Sequence, residues 1–354
     1  MKSWDAIVIG AGIIGLSLAI ELRKAGMSVL VVERGEPGRE ASWAAGGMLA
    51  DCGLEIPAAL RPLATASARM YPEFVRELES ESGLKIDLRD VGTLLFLNSG
   101  ADPRPADCLP LAAPWAELEP ALRPPAGRAS YLKERSVDPR GLTTAVVAAA
   151  KHRGVDFSSG DTVLEVEIVD GRASAVRTNK TRFTASVLIN CAGAWAGQIG
   201  PHSFPTRPVK GQMLCVAMPK RELVRHVIRT PEVYLIPRSD GRMLIGATVE
   251  EAGFDKQTVP ETIQRLWRAA LALVPELENA KILEAWAGLR PGTPDDLPIL
   301  GATSTPGYFV AAGHFRDGIL LAPVTARVMT QVITGQAPDL KLSAFPPQRF
   351  LLSC

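Results

Sequence analysis

A chain of 354 residues exceeds the usual single domain of about 100–200 residues and suits two domains, or one large α/β unit with an elaboration. Charged residues make up 22% and apolar residues 47%, a balance that argues against disorder and coiled coil. Lys plus Arg number 39 and Asp plus Glu 38, so a net charge of +1 offers no electrostatic case for nucleic acid or a membrane surface.

No apolar run reaches the ~18 residues of a membrane span. Residues Met1–Gly10 pass straight into a strand-like run without signal-peptide regions, so the expected location is cytoplasmic. Cys52, Cys108, Cys191, Cys215 and Cys354 are widely spaced and form no C-x-x-C, which suits free thiols in a reducing compartment. The histidines at 152, 202, 226 and 314 have no metal-ligand spacing, and no metal is expected.

In chain order, Asp5–Gly10 (DAIVIG) reads as a buried parallel strand. Ile13–Ala25 has helical periodicity and stops at Gly26, and Ser28–Glu33 (SVLVVE) is a second buried strand. Together they form a βαβ unit with a right-handed crossover. Arg34–Ala50 is a small-residue loop leading toward a helix over Thr65–Ser82. Leu94–Asn98 is a strand. The Pro- and Ala-rich stretch 101–128 is a surface excursion holding one short helix, Trp115–Glu119.

Arg140–Arg153 is helical, and Val155 and Phe157 open a strand. Thr162–Val169 and Ala173–Thr178 pair around Asp170-Gly171, a hairpin turn signal. Ser186–Cys191 is another buried strand. Met213–Ala217, Val233–Pro237 and Met243–Thr248 look antiparallel, the last two joined by Arg238–Gly241. A helix over Val259–Leu273, strands Ala285–Leu289 and Tyr308–Ala312, and an apolar helix Gly318–Ile333 complete the chain, which shows no internal repeat. The expected fold is α/β with an α+β insertion: a Rossmann-like dinucleotide domain from 1–85, 136–205 and 285–354, and an antiparallel-sheet substrate domain from 86–135 and 206–284.

A bare G-x-G-x-x-G is weak evidence, but Gly10-Ala-Gly12-Ile13-Ile14-Gly15 follows a strand, opens a helix, lies in a βαβ unit and precedes an acidic residue, Glu33. Gly10 permits the tight turn, Gly12 lets backbone approach a pyrophosphate, and Gly15 lets helix and strand pack closely. The helix N-terminus offers N–H groups to the diphosphate, and Glu33 can accept from a ribose diol. The motif alone does not separate NAD from FAD. Its position at the start of the chain, the large inserted sheet and the lack of a second glycine fingerprint favour FAD.

Beyond that motif stand ASWAAGGML at 41–49, PVKGQML at 208–214, VYLIPRSDGRMLIGATVE at 233–250, AWAGLRPGTPDDLPILG at 285–301 and FVAAGHFRDGILLAP at 309–323. On these stretches the chain resembles the FAD-dependent superfamily of D-amino acid oxidase and sarcosine oxidase, and within it the glycine oxidases of the thiamine pathway. The resemblance implies that Gly10, Gly12, Ile13, Ile14 and Gly15 cradle the pyrophosphate, with Glu33 and Arg34 at the adenosine end and Val163 beside the adenine. It implies that Ala41, Ser42, Gly46, Gly47 and Met48 line the flavin side, that Gly193 joins the cofactor set, and that His314, Phe315, Arg316, Asp317, Gly318, Ile319 and Leu320 wrap the isoalloxazine.

Arg290 matches the arginine that clamps a substrate carboxylate, and Arg316, Tyr234 and Met48 supply further substrate contacts. Val249 and Glu232 depart from the Met and His common among glycine oxidases, and both bear on the preferred substrate. Pro291–Asp295 lacks the cysteine by which monomeric sarcosine oxidase attaches its flavin, so non-covalent FAD is expected.

The implied chemistry is hydride transfer from a small amine (glycine, sarcosine or a small D-amino acid) to flavin N5, with O2 as electron acceptor and H2O2 released. It needs orientation rather than an acid–base constellation, and a planar guanidinium that grips a carboxylate through two hydrogen bonds supplies it. Arg290 follows AWAGL and precedes Pro291-Gly292, so it is expected at a strand end. Asp317 is the expected N-cap of the last helix, whose N-terminus would favour negative charge on the ring.

Alone, Tyr234 and Met48 read equally as core, and Cys191 as a small apolar residue. His314 reads as a structural or flavin contact rather than a base. Alternatives in other classes are a dehydrogenase passing electrons to a quinone, an NAD-dependent dehydrogenase and a non-catalytic flavin binder. The family's habit of forming homotetramers implies a homo-oligomer.

Overall fold

The strand Trp4–Ile9, buried from Ala6 onward, runs parallel to Val29–Glu33, with the helix Ile13–Lys24 between them in sequence. That helix is apolar on almost every side because it is covered on more than one: it packs on the sheet, on the helix Gly318–Ile333 and on the helix Pro139–His152. The computed structural model describes residues 3–52, 56–97, 108–123 and 128–350.

One sheet runs in the order Ile299–Ala302, Tyr308–Ala312, Arg182–Asn190, Trp4–Ile9, Val29–Glu33, Asp156–Ser159. All neighbours are parallel except Ile299–Ala302, an antiparallel edge strand. The hairpin Val163–Val169/Arg172–Thr178 extends from Arg182–Asn190. Its turn residues Asp170 and Gly171 both have positive φ (49° and 74°), as a two-residue type I′ turn requires.

The second sheet runs Lys281–Gly292, Arg207–Ala217, Arg242–Gly246, Tyr234–Pro237, Val227–Arg229, Thr93–Leu97, Arg128–Leu132. Its pairs are antiparallel except Val227–Arg229 with Thr93–Leu97. The strand period divides its residues between two faces. Leu214 and Val216 enter a core shared with the helix Pro260–Leu273, whereas Met213 and Cys215 join Ile236 and Leu244 on the face that meets Met48 and Tyr234. A small third sheet, Met48–Leu49, Arg135–Val137 and Leu88–Arg89, sits beside it.

Most predicted elements appear where the periodicity places them; Arg128–Leu132, Arg135–Val137 and Ile299–Ala302 are strands beyond those predicted. The helix predicted from Thr65 begins at Arg61, because Pro62 is acceptable in a first turn, where its missing N–H costs nothing. Val227–Arg229 is a three-residue strand, too short for a period to register. Ala285–Leu289 is the middle of Lys281–Gly292, which pairs along its length with Arg207–Ala217. A division of the chain at 285 therefore cuts a continuous strand of the antiparallel sheet. Finally, 101–107 and 124–127 of the Pro-rich 101–128 excursion, together with Asn98 and Cys354, lie outside the described residues; Trp115–Leu118 within it is helical.

Candidate active site

A cavity of about 670 Å³ lies where the carboxyl ends of the parallel strands, at Ile9, Glu33, Cys191 and Ala312, meet the antiparallel strands at Met213, Tyr234, Gly246 and Arg290. Open α/β sheets place ligands outside these strand ends. The cavity has two chemically different ends.

The first end is made mainly of backbone. Gly10 adopts φ +104°, and a Cβ there would stand 2.6 Å from the Cys191 carbonyl oxygen. A Cβ at Gly15 would stand 2.1 Å from the Gly10 carbonyl oxygen, so Gly15 serves helix–strand packing and does not itself line the cavity. At Gly12 a Cβ would meet only Ser42 Oγ, at 3.5 Å; the glycine leaves room for something other than protein. Gly12 has no side chain to cap the helix that follows, whose first turn holds no acidic residue; Ser42 Oγ takes the Ile13 amide, and the positive end of the helix otherwise faces the cavity. Gly12, Ile13 and Ile14 line the cavity here.

Glu33 is buried and lines the same end, its two oxygens accepting from the amides of Ala11 (2.7 Å) and Gly35 (2.9 Å). Each oxygen keeps a second lone pair for a ribose hydroxyl. Arg34 donates to Glu40 (3.0 Å), and its guanidinium lies 3.3 Å over the Trp195 ring. Val163 and Gly193 complete this part of the wall.

Ala41, Ser42, Gly46, Gly47 and Met48 form the middle. Ser42 Oγ accepts from the amide of Ile13 (2.9 Å) and so ties this segment to the glycine turn. Gly47 needs its positive φ of 76°, and a Cβ on it would strike the Val137 carbonyl oxygen at 2.0 Å. The Gly46 carbonyl accepts from Arg238 Nη2 (2.6 Å). Arg238 is 1% exposed; burial pulls its guanidinium down to about 10, and it still carries its charge at neutral pH. Nothing local in PRSDG marks this role, because the contact spans 192 positions of sequence.

On the far side Gly313 (φ +74°) and Phe315 (φ +46°) bend the chain into the last helix, and Phe315 N donates to the Pro291 carbonyl (2.8 Å). His314, Phe315, Arg316, Asp317, Gly318 and Ile319 line the cavity. Leu320 does not: it is buried behind the wall, where its carbonyl accepts from Ser67 Oγ (2.6 Å), because the next residue along a helix from Ile319 points about 100° away. Asp317 occupies the N-cap position, but its side chain makes no cap bond. His314 is buried against Thr325 Oγ1 (3.1 Å), and burial pushes its ring down to about 3, so it is neutral and held by packing. Burial raises the Cys191 thiol strongly, as befits a small core residue.

The second end is made of side chains. Arg290 lies two residues before the end of Lys281–Gly292, an antiparallel strand, where it stands opposite Val209. Its guanidinium lies flat across Gly211, where a Cβ would stand 2.3 Å from Nη1 and 2.5 Å from Nη2. Nη1 donates to the carbonyls of Thr248 (3.0 Å) and Lys210 (3.4 Å). Two of the five guanidinium donors are thereby used, and those on Nε and Nη2 remain for a carboxylate.

Tyr234, with its hydroxyl 3.7 Å from Met213 Sδ, shares this end with Gly246, Val249 and Glu232. A Cβ at Gly246 would press on Met213 (2.9 Å) and Tyr234 (3.0 Å). Gly211 and Gly246 are given no role by the motifs; their signal is a glycine inside a strand, which marks close approach of another group.

A profile of the FAD dependent oxidoreductase family matches residues 5–332. The chain belongs to that family. It is 33% identical to a glycine oxidase of Pseudomonas aeruginosa over 96% of this chain and 98% of that one. It is 36% identical to a Bifunctional protein ThiO/ThiG of Trichormus variabilis, covering 98% of this chain and 55% of the relative; the chain thus spans about half the length of such bifunctional relatives. The crystal structure of glycine oxidase from Geobacillus kaustophilus superposes with a TM-score of 0.92 at 29% identity, covering 99% of both chains.

The chain is therefore an FAD-dependent oxidoreductase by family, with glycine oxidases among its relatives. The open face of Gly12, a helix N-terminus with no acidic residue in its first turn and the buried Glu33 fit the dinucleotide half of FAD. Among the described residues no helix is long and apolar enough to cross a membrane, and no cluster suited to a metal ion occurs.

Proposed function

We propose that this protein oxidises glycine and small amines such as sarcosine and small D-amino acids, with O2 as electron acceptor. Glycine, O2 and water become glyoxylate, ammonia and H2O2. The observation that carries the reading is Arg290, held over Gly211 on the wall of the same cavity that the dinucleotide turn enters. Bound FAD, held without a covalent bond, supplies the acceptor for the substrate's α-hydride.

This chain's residues do the rest. Arg290 grips the carboxylate, while Tyr234 and Met48 limit the room beside it. Arg316 lies at the rim, and the N-terminus of Gly318–Ile333 places a partial positive charge against the cavity. His314 stays neutral and takes no proton from the amine at working pH. The parallel sheet forms the FAD domain and the antiparallel sheet the substrate domain, the latter including Lys281–Gly292. A homo-oligomer, and a place in thiazole assembly for thiamine, follow from the family likeness alone.

The test is anaerobic mixing of the yellow holoprotein with glycine, sarcosine and small D-amino acids. Bleaching of the visible flavin band by at least one of them, and stoichiometric peroxide on admitting air, are expected. Bleaching without peroxide, with turnover restored by a quinone, assigns the protein as a dehydrogenase instead. A flavin that no small amine bleaches rejects the proposal.

A further inference from the structure

Arg290 is aimed by carbonyl groups, and those carbonyls belong to a buried polar cluster that the reaction itself does not require. The Thr248 carbonyl accepts from Arg290 Nη1 at 3.0 Å. The hydroxyl of the same Thr248, buried, accepts from the amide of Gln212 (2.8 Å) and donates to Glu250 Oε1. Gln212 is wholly buried, and its amide nitrogen Nε2 donates to both Glu250 oxygens (2.9 and 3.2 Å) while its Oε1 accepts from Val259 N (2.7 Å).

A second arm reaches the other carbonyl. Lys210, whose carbonyl receives Arg290 Nη1 at 3.4 Å, exchanges two backbone bonds of 2.9 Å with Glu250, and its buried ammonium meets Asp255 at 2.6 Å. Buried polar groups in an otherwise apolar sheet are costly unless they are satisfied. Here they satisfy one another around the two carbonyls that Arg290 uses.

We infer that Thr248, Gln212 and Glu250 are positioning residues that hold the 248 and 210 carbonyls in place and so set the direction of the Arg290 guanidinium. The inference rests on Arg290 being the carboxylate clamp. None of the three is proposed to touch substrate or flavin; they act through Arg290. Their effect therefore falls on carboxylate recognition and not on flavin binding.

The experiment uses the flavin-loaded protein with acetate, a carboxylate that has no amine to oxidise, read by perturbation of the visible flavin spectrum. Thr248→Val, which keeps the shape and removes the hydroxyl, is expected to weaken acetate binding and raise the KM for glycine about tenfold, the size of one lost hydrogen bond's effect. The kcat stays within about twofold, and Thr248→Ser restores both values. Should Thr248→Val fold poorly, Glu250→Gln keeps the volume and is expected to move acetate binding in the same direction.

Arg290→Lys is the control that separates the two claims. If it weakens acetate binding strongly while Thr248→Val and Glu250→Gln leave it unchanged, the positioning role is wrong and the clamp stands. If none of the three variants moves acetate binding, the clamp assignment fails and the positioning role with it.

Discussion

On the proposed function, the two ends of the cavity solve the same problem, holding a charged ligand, with different materials. The glycine-turn end uses backbone: Gly10 and Gly12 on the wall with Gly15 packed behind them, a helix N-terminus with no acidic residue in its first turn, and a buried carboxylate already occupied by two amides. The amine end uses side chains projecting from strands, with a guanidinium resting on the bare backbone of Gly211. Where an added atom at such a site meets backbone, as at Gly10 and Gly15, that backbone cannot step aside. A side-chain site yields by rotation and loses aim before it loses structure. That contrast predicts how each end breaks.

The largest effect is expected from Gly15→Ala. Its new Cβ would lie 2.1 Å from a carbonyl oxygen, so helix and strand must separate. A loss of about 3 kcal/mol or more in stability is expected, with a purified protein that is colourless. Thermal unfolding and the flavin absorbance check it. A stable yellow variant would mean that the close approach matters less than the geometry implies.

Arg290→Ala should leave the flavin bound and lower kcat/KM for glycine by about 10³-fold, the combined worth of two charge-assisted hydrogen bonds. Flavin content per chain, measured beside the kinetics, shows whether the damage stays at one end. Gly211→Ala is the sharper version of the same comparison. Its Cβ meets the flexible end of a side chain at 2.3 Å and not backbone, so Arg290 shifts, KM rises about tenfold and folding survives.

The smallest effect concerns His314. Burial holds the folded ring down to about 3, below the 6.5 of an unperturbed imidazole. Between those values the unfolded chain takes up a proton that the folded one does not, so this residue makes stability fall as pH drops from 6.5 toward 3. His314→Gln should flatten the acid limb of the melting-temperature profile in that window. The pH dependence of glycine turnover by the parent enzyme should show no inflection from His314.

Much of the dinucleotide end was legible in the sequence because its chemistry is local. Strand, glycine turn, helix and Glu33 all lie within one stretch of about thirty residues, and their hydrophobic period and glycine spacing are short-range properties. The last strand and helix, Tyr308–Ala312 and Gly318–Ile333, were readable for the same reason. Arg290 was legible as a residue type suited to a carboxylate, and it stood out only through likeness to a family. Its seat near a strand end was legible too, but Pro291-Gly292 is still paired, with Pro208 and Arg207, and the strand belongs to the antiparallel sheet.

By itself the sequence determined the element types, the buried parallel strands and the phosphate-binding turn, since these follow from side-chain period, β-branching and the conformational freedom of glycine. Only the tertiary structure decided which strand lies beside which, that Gly211 passes under Arg290, that Arg238 reaches Gly46, and that Leu320 falls behind the wall. Such contacts join residues tens to hundreds of positions apart. They are set by sheet register and by the packing of one sheet against another, which no local pattern encodes.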